Sequence, residues 1–139
     1  MSQTPKKSKA VLKQAVHDTD QAAIAALETH RDALSTAIQQ TTNAPPPVTA
    51  DQQHKLHELI MARQEVNRTI TEYYLLDSLD LNSSSAVKAQ IAALNKANFR
   101  LKQSIDQVNA VVGVITNVAS VMATLDKALT AARALIGLV

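Results

Sequence analysis

Cysteine and tryptophan are absent from this chain of 139 residues, and glycine occurs only at positions 113 and 137. The absence of cysteine excludes a disulfide framework, a zinc-thiolate site and a cysteine nucleophile. Two glycines and four prolines are also too few for the many connections of a β-sandwich, a β-barrel or an α/β fold. The composition therefore predicts an all-α protein.

Aromatic residues and net charge are scarce as well. Tyr73, Tyr74 and Phe99 are the only aromatic side chains, and the formal net charge is +2, whereas 46% of the residues are hydrophobic. A chain with so much apolar material and so little net charge can bury a core, which excludes intrinsic disorder. Its length suits one small domain.

Motifs for catalysis are missing from the sequence. It has no nucleophile motif, no glycine-rich phosphate loop and no dinucleotide-binding fingerprint. We therefore predict no enzymatic activity, no cofactor and no small-molecule substrate.

Four histidines are the remaining candidates for metal ligands. His54, His57 and Glu58 fall within one helical turn, but no second cluster supplies further ligands, and we predict that they are solvated surface residues. His17 stands alone. His30 falls on an apolar stripe, where a buried core histidine is expected. We predict no metal site.

Prolines and capping residues divide the chain. The run at 43–48 contains three prolines, which stop a helix, and predicts a turn after a first helix at about 8–41. Thr49 and Gln52 fit a capping box that starts a second helix at about 50–76. A serine-rich segment then leads into a third helix from about residue 85, with a serine as its N-cap.

The third helix has no stop signal before Gly137, so residues 85–111 are predicted to continue into residues 112–139 as one helix. At 1.5 Å per residue that helix is roughly 80 Å long, whereas a compact chain of this size is only about 40 Å across. The prediction is an elongated antiparallel three-helix bundle, residues 1–111, with the C-terminal helix extending beyond it. The alternative is a four-helix bundle broken at Gly113.

Charge spacing predicts the partner of the second helix. In an antiparallel hairpin of helices 2 and 3, three acidic residues seven apart fall opposite three lysines: Glu58 and Lys102, Glu65 and Lys96, and Glu72 and Lys88. Such pairs set orientation and register although each contributes little stability. In the same arrangement Asn98 is a core polar residue that sets register. Tyr73 and Tyr74 are expected in core or rim packing, or as anchors for a partner.

The C-terminal segment is the most unusual part of the sequence. No charged residue occurs from Gln107 to Leu125, and two apolar rows cover about half of the helix. The predicted partner, oligomer or membrane interface comprises Val111, Val114, Ile115, Val118, Val121, Met122, Leu125, Leu129, Leu135 and Ile136. The predicted uncharged polar face comprises Asn109, Thr116, Asn117, Ser120 and Thr124. An uncovered helix of this kind needs a partner.

These features predict a non-enzymatic helical assembly protein that oligomerises, or docks a helical protein partner, through its apolar C-terminal helix. The alternative is a membrane-active protein, such as a pore-forming or secretion-system component, that inserts residues 107–125 into lipid. Lys88, Lys96, Arg100 and Lys102 suggest nucleic-acid binding only weakly, because no recognition motif accompanies them. The predicted location is cytoplasmic, since no signal peptide is evident, with membrane association or non-classical export as the alternative. Lysine at Val118 and Leu125 is expected to abolish assembly and to spare the fold.

Overall fold

The computed structural model describes residues 5–43, 45, 49–79, 84–108, 110–111, 114–115 and 118–138. Its four α-helices are α1 (Pro5–Thr42), α2 (Ala50–Asp77), α3 (Ser85–Asp106) and α4 (Val118–Gly137). Between α3 and α4, the two-residue strand β1 (Ala110–Val111) pairs antiparallel with β2 (Val114–Ile115). Apart from this small hairpin the described fold is helical, which confirms the predicted all-α class.

Local hydrogen bonds explain where the helices begin. The Thr49 hydroxyl accepts a bond of 3.1 Å from the Gln52 amide, and the Gln52 side chain accepts one of 2.9 Å from the Thr49 amide. This is the predicted capping box. At the start of α3 the Ser84 hydroxyl accepts from the Val87 amide at 3.2 Å, so the predicted serine N-cap is also present. The proline turn predicted at 43–48 lies mostly outside the described residues.

Each helix buries residues at alternating three- and four-residue steps, the spacing that keeps one face toward a common core. In α1 the buried positions that follow this spacing are Val16, Asp20, Ala23, Leu27, His30, Leu34 and Ala37. In α2 they are Leu59, Ala62, Val66, Thr69, Tyr73 and Leu76. In α3 they are Val87, Ile91, Leu94, Asn98, Leu101 and Ile105. In α4 they are Val118, Val121, Leu125, Ala128, Ala132 and Leu135.

The helices form two hairpins packed side by side. α1 packs against α2 in one hairpin and α3 against α4 in the other, while α1 also lies beside α3 and α2 beside α4. Contacts run in opposite directions along the first pair, since Gln21 bonds to Asp77 and Ser35 to Arg63. The remaining two pairs of helices are diagonal across the bundle: α1 lies opposite α4, and α2 lies opposite α3.

This arrangement corrects the predicted hairpin of helices 2 and 3. Because α2 and α3 are diagonal, the predicted ion pairs between them are not formed among the residues with described side chains. Glu65 instead pairs with Arg68 of its own helix at 3.5 Å, and Glu72 pairs with Arg133 of α4 at 3.7 Å. The spacing of charges indicated a face of α2 but could not identify the helix beside it.

The structure also corrects the predicted continuous C-terminal helix. α3 ends at Asp106, and α4 begins at Val118 and packs back against α3 and α2. The intervening sequence is rich in β-branched valine, isoleucine and threonine, which favour extended backbone, and part of it forms the β1–β2 hairpin. Four observed helices agree with the alternative four-helix bundle, although Gly113, its proposed break, lies outside the described residues.

Candidate functional site

The apolar face of α4, which the sequence identified as an assembly surface, is covered by the other helices of the same chain. The fully or nearly fully buried members of the predicted interface are Ile115, Val118, Val121, Leu125, Leu129 and Leu135. Most of them belong to the common core with residues of α1, α2 and α3. In this fold these side chains belong to the core of the bundle, and the exposed residues of α4 lie elsewhere on the helix.

The other predicted residues of this segment are placed less uniformly. Met122 and Ile136 are half-buried at the edge of the core. Val111 and Val114 lie in the paired strands. On the predicted polar face Ser120 is exposed, and the Thr124 hydroxyl donates to the Val121 carbonyl at 2.9 Å. Asn109, Thr116 and Asn117 lie outside the described residues.

One flank of α4 forms a groove with α3, which we call the basic groove. Its volume is about 380 Å³, and it is lined by Gln90, Ala93, Lys96, Ala97, Arg100, Thr124, Lys127, Thr130, Ala131 and Ala134. The alanines leave an open apolar floor. Lys96, Arg100 and Lys127 form no ion pair with any residue of the described part of the chain. The lining therefore carries three unpaired cations and no acid.

The opposite flank of α4 forms a groove with α2, which we call the acidic groove. Its volume is about 510 Å³, and it is lined by His54, His57, Glu58, Met61, Ala62, Val118, Ala119, Met122, Ala123 and Asp126. Glu58 and Asp126 have no ion-pair partner within the described ranges. Met61 is 45% exposed. The two flanks of α4 are thus apolar grooves of opposite charge.

A cluster of polar side chains is buried where α1, α2 and α3 meet. Asp20 of α1 is 0% exposed, and neither of its carboxylate oxygens has a hydrogen-bond partner in the described part of the chain. Tyr73 of α2 donates a short hydrogen bond from its hydroxyl to Oδ1 of Asn98 on α3. That bond crosses the diagonal of the bundle and ties α2 to α3.

Asp77, at the end of α2, lies beside Asp20. Burial, and next the adjacent Asp77 carboxylate, raise the pKa of Asp20 to about 8, while Asn98 has a smaller opposing effect. One oxygen of Asp77 is buried and lacks a partner among the described groups, as both Asp20 oxygens do. A proton held by Asp20 supplies the missing donor, because a carboxylic acid donates to a neighbouring carboxylate. At neutral pH the Asp20 carboxyl group thus holds its proton.

Two residues of α1 contact the Oδ2 atom of Asp77. Gln21 donates to Asp77 Oδ2 at 3.1 Å, and His17 Nδ1 lies 3.4 Å from the same oxygen. Burial and the charge of Asp20 raise the pKa of the Tyr73 hydroxyl, which stays protonated and acts as a donor. This cluster contributes structure and a proton-dependent contact between α1 and α2.

Asn98, predicted to be a core polar residue, is buried. Of the two tyrosines predicted in core or rim packing or as partner anchors, Tyr73 is buried and Tyr74 is exposed. Asp20 and Asp77 were not predicted from the sequence. A signal for Asp20 did exist, since it lies four residues after Val16 and three before Ala23, on the same three-four spacing as the apolar residues of α1.

His30 is buried at 1% exposure, as its position on the stripe predicted. Burial lowers its pKa, so the imidazole is neutral. Its Nε2 atom has no hydrogen-bond partner in the portion of the chain that the structure describes. The side chain thus lies in the core with one polar atom unsatisfied.

Two further predictions concern metals and membranes. Within the described residues no group of three or more acidic or histidine side chains is arranged to hold a metal ion, and His54, His57 and Glu58 line the acidic groove. A search of the same residues finds no helix with the length and hydropathy required to span a bilayer. Of the predicted membrane segment 107–125, the described part contains the strands and the start of α4.

These features together describe a four-helix bundle with a buried, protonated Asp20 beside Asp77 and with two oppositely charged apolar grooves along α4. Comparison of the chain with protein families, with curated protein sequences and with solved structures finds no match.

Proposed function

We propose that this chain is a non-enzymatic helical assembly protein that associates through its C-terminal helix α4, with copies of itself or with a helical protein partner. The observation that carries the proposal is the pair of open grooves on the two flanks of α4. Each groove has an apolar floor, and each is lined by charges of one sign that have no ion-pair partner among the described residues.

The packing of α4 supports this use of its flanks. Its inward face is filled by Val121, Leu125 and other core residues, so it has no spare apolar area inside the bundle. Several of its exposed positions carry small side chains: Ala119 and Ala123 in the acidic groove, and Ala134 in the basic groove. Small side chains let a further helix approach closely, with packing distances of about 8 Å between axes. Charges at the groove edges then select and orient that helix.

Sedimentation velocity tests the proposal. We expect the average sedimentation coefficient of the full chain to rise between about 5 µM and about 500 µM, because association follows mass action. Ala123→Lys and Ala134→Lys place a long charged side chain in each groove in turn and are expected to weaken association. Ala15→Lys, an exposed position on α1, is the matched control and is expected to behave like the unmodified chain.

A single monomeric species at every concentration would overturn self-association. Association that is unchanged in both groove variants would overturn the role of α4. Thermal melting of each variant serves as the control that its fold is retained. The membrane-active alternative stays a prediction, and vesicle flotation of the intact chain tests it.

A further inference from the structure

Resting on the proposed function, we propose that the basic groove of one copy receives the α2 wall of the acidic groove, around Glu58 and Met61, from a second copy. The chain then associates head to tail. Each molecule offers one groove between α3 and α4, and presents one complementary helix edge on α2.

Charge is the first argument for a second copy as the occupant. The basic groove presents Lys96, Arg100 and Lys127, and none of these has an ion-pair partner in the described part of its own chain. Across the molecule, Glu58 of α2 and Asp126 of α4 are exposed and likewise unpaired with the residues described. The chain therefore carries both halves of a complementary surface on opposite flanks of one helix. Opposite charges at a contact set orientation and speed encounter.

Shape is the second argument. Met61 is 45% exposed beside Glu58, so α2 presents a flexible apolar side chain next to an acid. The basic groove offers Ala93 and Ala97 on α3, one turn apart, facing the alanines of α4. A methionine can fill such an irregular apolar space. The lining from Gln90 to Arg100 is about 15 Å long, the length of ten residues of an opposing helix.

The two surfaces lie on different sides of α4, and this determines the type of assembly. A contact between unlike surfaces is heterologous, so it continues from copy to copy as a ring or an open filament and does not end at a symmetric dimer. A head-to-tail contact is therefore expected to give a series of oligomers of increasing size rather than a single dimeric species.

The absence of cysteine allows a direct test with introduced thiols. Met61→Cys combined with either Ala93→Cys or Ala97→Cys puts one thiol on each proposed surface of the full chain. A disulfide requires Cα atoms within about 7 Å of each other. α2 and α3 are diagonal in the bundle, so a bridge has to join two copies. We expect mild oxidation to produce a ladder of covalent oligomers on a non-reducing gel.

Phe99→Cys is the matched control partner for Met61→Cys. Phe99 lies on α3 close to Ala97 and is 66% exposed, but it lines the groove between α1 and α3. Random collision favours this more exposed position, whereas the proposed contact favours Ala93 and Ala97. Equal or faster oligomer formation with Phe99→Cys would overturn the inference.

Charge reversal measures the same contact without cross-linking. The groove variant combines Lys96→Glu, Arg100→Glu and Lys127→Glu, and the edge variant combines Glu58→Lys and Asp126→Lys. We expect the association constant of each alone to fall by roughly tenfold or more. Mixing the two variants restores opposite charges at every contact, and we expect association to return. A control with Lys13→Glu, Lys88→Glu and Lys102→Glu has the same net charge as the groove variant and leaves the groove intact.

The outcomes separate the inference from the proposed function. If the unmodified chain associates but charge reversal and mixing have no effect, the inference is wrong and assembly through another surface remains. If the chain is monomeric throughout, self-assembly itself is wrong. If the monomer binds a DNA duplex and the groove variant does not, the occupant of the basic groove is nucleic acid, and the inference is overturned.

Discussion

Asp20 carries a carboxyl group at a position of α1 where the neighbouring members of the same stripe are Val16 and Ala23. Burial alone would make an ionised carboxylate there very costly. The adjacent Asp77 adds repulsion, which protonation of Asp20 removes. The pKa of Asp20, raised to about 8, is thus a property of the contact between α1 and the end of α2.

Replacement of this acid makes stability less dependent on pH. Between pH 4 and pH 8, roughly, folded Asp20 holds a proton that the unfolded chain releases, so the free energy of unfolding falls as pH rises, by at most about 1.4 kcal/mol per pH unit. Asp20→Asn keeps a donor for Asp77 and removes the titration. We expect the variant to melt at a higher temperature than the unmodified chain by a margin that grows from pH 5 to pH 8.

Asp18→Asn provides the comparison for this effect. Asp18 is exposed on α1 and accepts a hydrogen bond from Gln14 at 2.8 Å. Its substitution is expected to shift the melting temperature by a margin that does not vary with pH. Parallel pH profiles for Asp20→Asn and the unmodified chain would contradict the raised pKa of Asp20.

Tyr73 provides a second prediction at the scale of single residues. Tyr73→Phe removes the hydroxyl that donates to Asn98, and leaves a buried amide oxygen without that partner. We expect the free energy of unfolding, measured with urea, to fall by about 1 to 3 kcal/mol. Tyr74→Phe makes the same chemical change at a site that is 51% exposed and is expected to have little effect. Equal effects would show that the diagonal hydrogen bond does not contribute to stability.

At the scale of elements, α4 differs from the other three helices because its core-facing positions are all apolar. α1, α2 and α3 each include at least one polar residue among the buried positions, whereas those of α4 are Val118, Val121, Leu125, Ala128, Ala132 and Leu135. The apolar surplus noted in the sequence is therefore largely used in the core. The proposed assembly therefore uses the flanks of α4, where the two grooves lie.

Replacing Leu125 with lysine tests whether α4 is part of the core or serves only for assembly. Leu125 is fully buried, so Leu125→Lys places a charge in the core, and we expect loss of at least about 4 kcal/mol of stability, measured by chemical denaturation. This reverses the expectation from sequence that the fold would survive lysine at Val118 and Leu125. Ala123→Lys, exposed on the same helix, is expected to leave the melting temperature nearly unchanged. A Leu125→Lys variant with normal melting would mean that α4 is not part of the core.

At the scale of the whole molecule, the bundle is built from two hairpins, and each hairpin covers the apolar face of the other. α4 contacts both α3 and α2, so its removal uncovers core residues on two helices. The sequence suggested instead that residues 1–111 form a bundle without the C-terminal segment.

Truncation before Val118 tests these two descriptions. We expect the shortened chain to lose cooperative thermal unfolding and much of its helical circular dichroism, since the apolar faces of α2 and α3 would be exposed to water. A chain that ends at Gly137 retains α4 and is expected to melt like the full chain. Unchanged melting of the shorter chain would support the independent three-helix bundle.

The helical class, the end of α1 at Thr42 and the beginning of α2 after Thr49 follow from the sequence alone. The helical class follows from the composition, which has too little glycine and proline for many turns. The two helix ends follow from chemistry within a few residues: prolines end α1, and a capping box satisfies the first-turn amides of α2. Periodicity also indicated the burial of His30 and Asn98 in the core, whereas it assigned Leu125 to an assembly surface, and the structure buries Leu125 as well.

The choice of neighbouring helices was decided only by the tertiary structure. An apolar stripe shows which face of a helix is covered but not which helix covers it, and exposed charge pairs, worth tenths of a kcal/mol, are too weak to choose. Packing of α4 against α3 and α2 placed the two charged grooves on its flanks and took its apolar face into the core. Packing of α1 against the end of α2 likewise brought Asp20 to Asp77, two residues 57 positions apart in the sequence, and so raised the pKa of Asp20 in a way that no local pattern predicts.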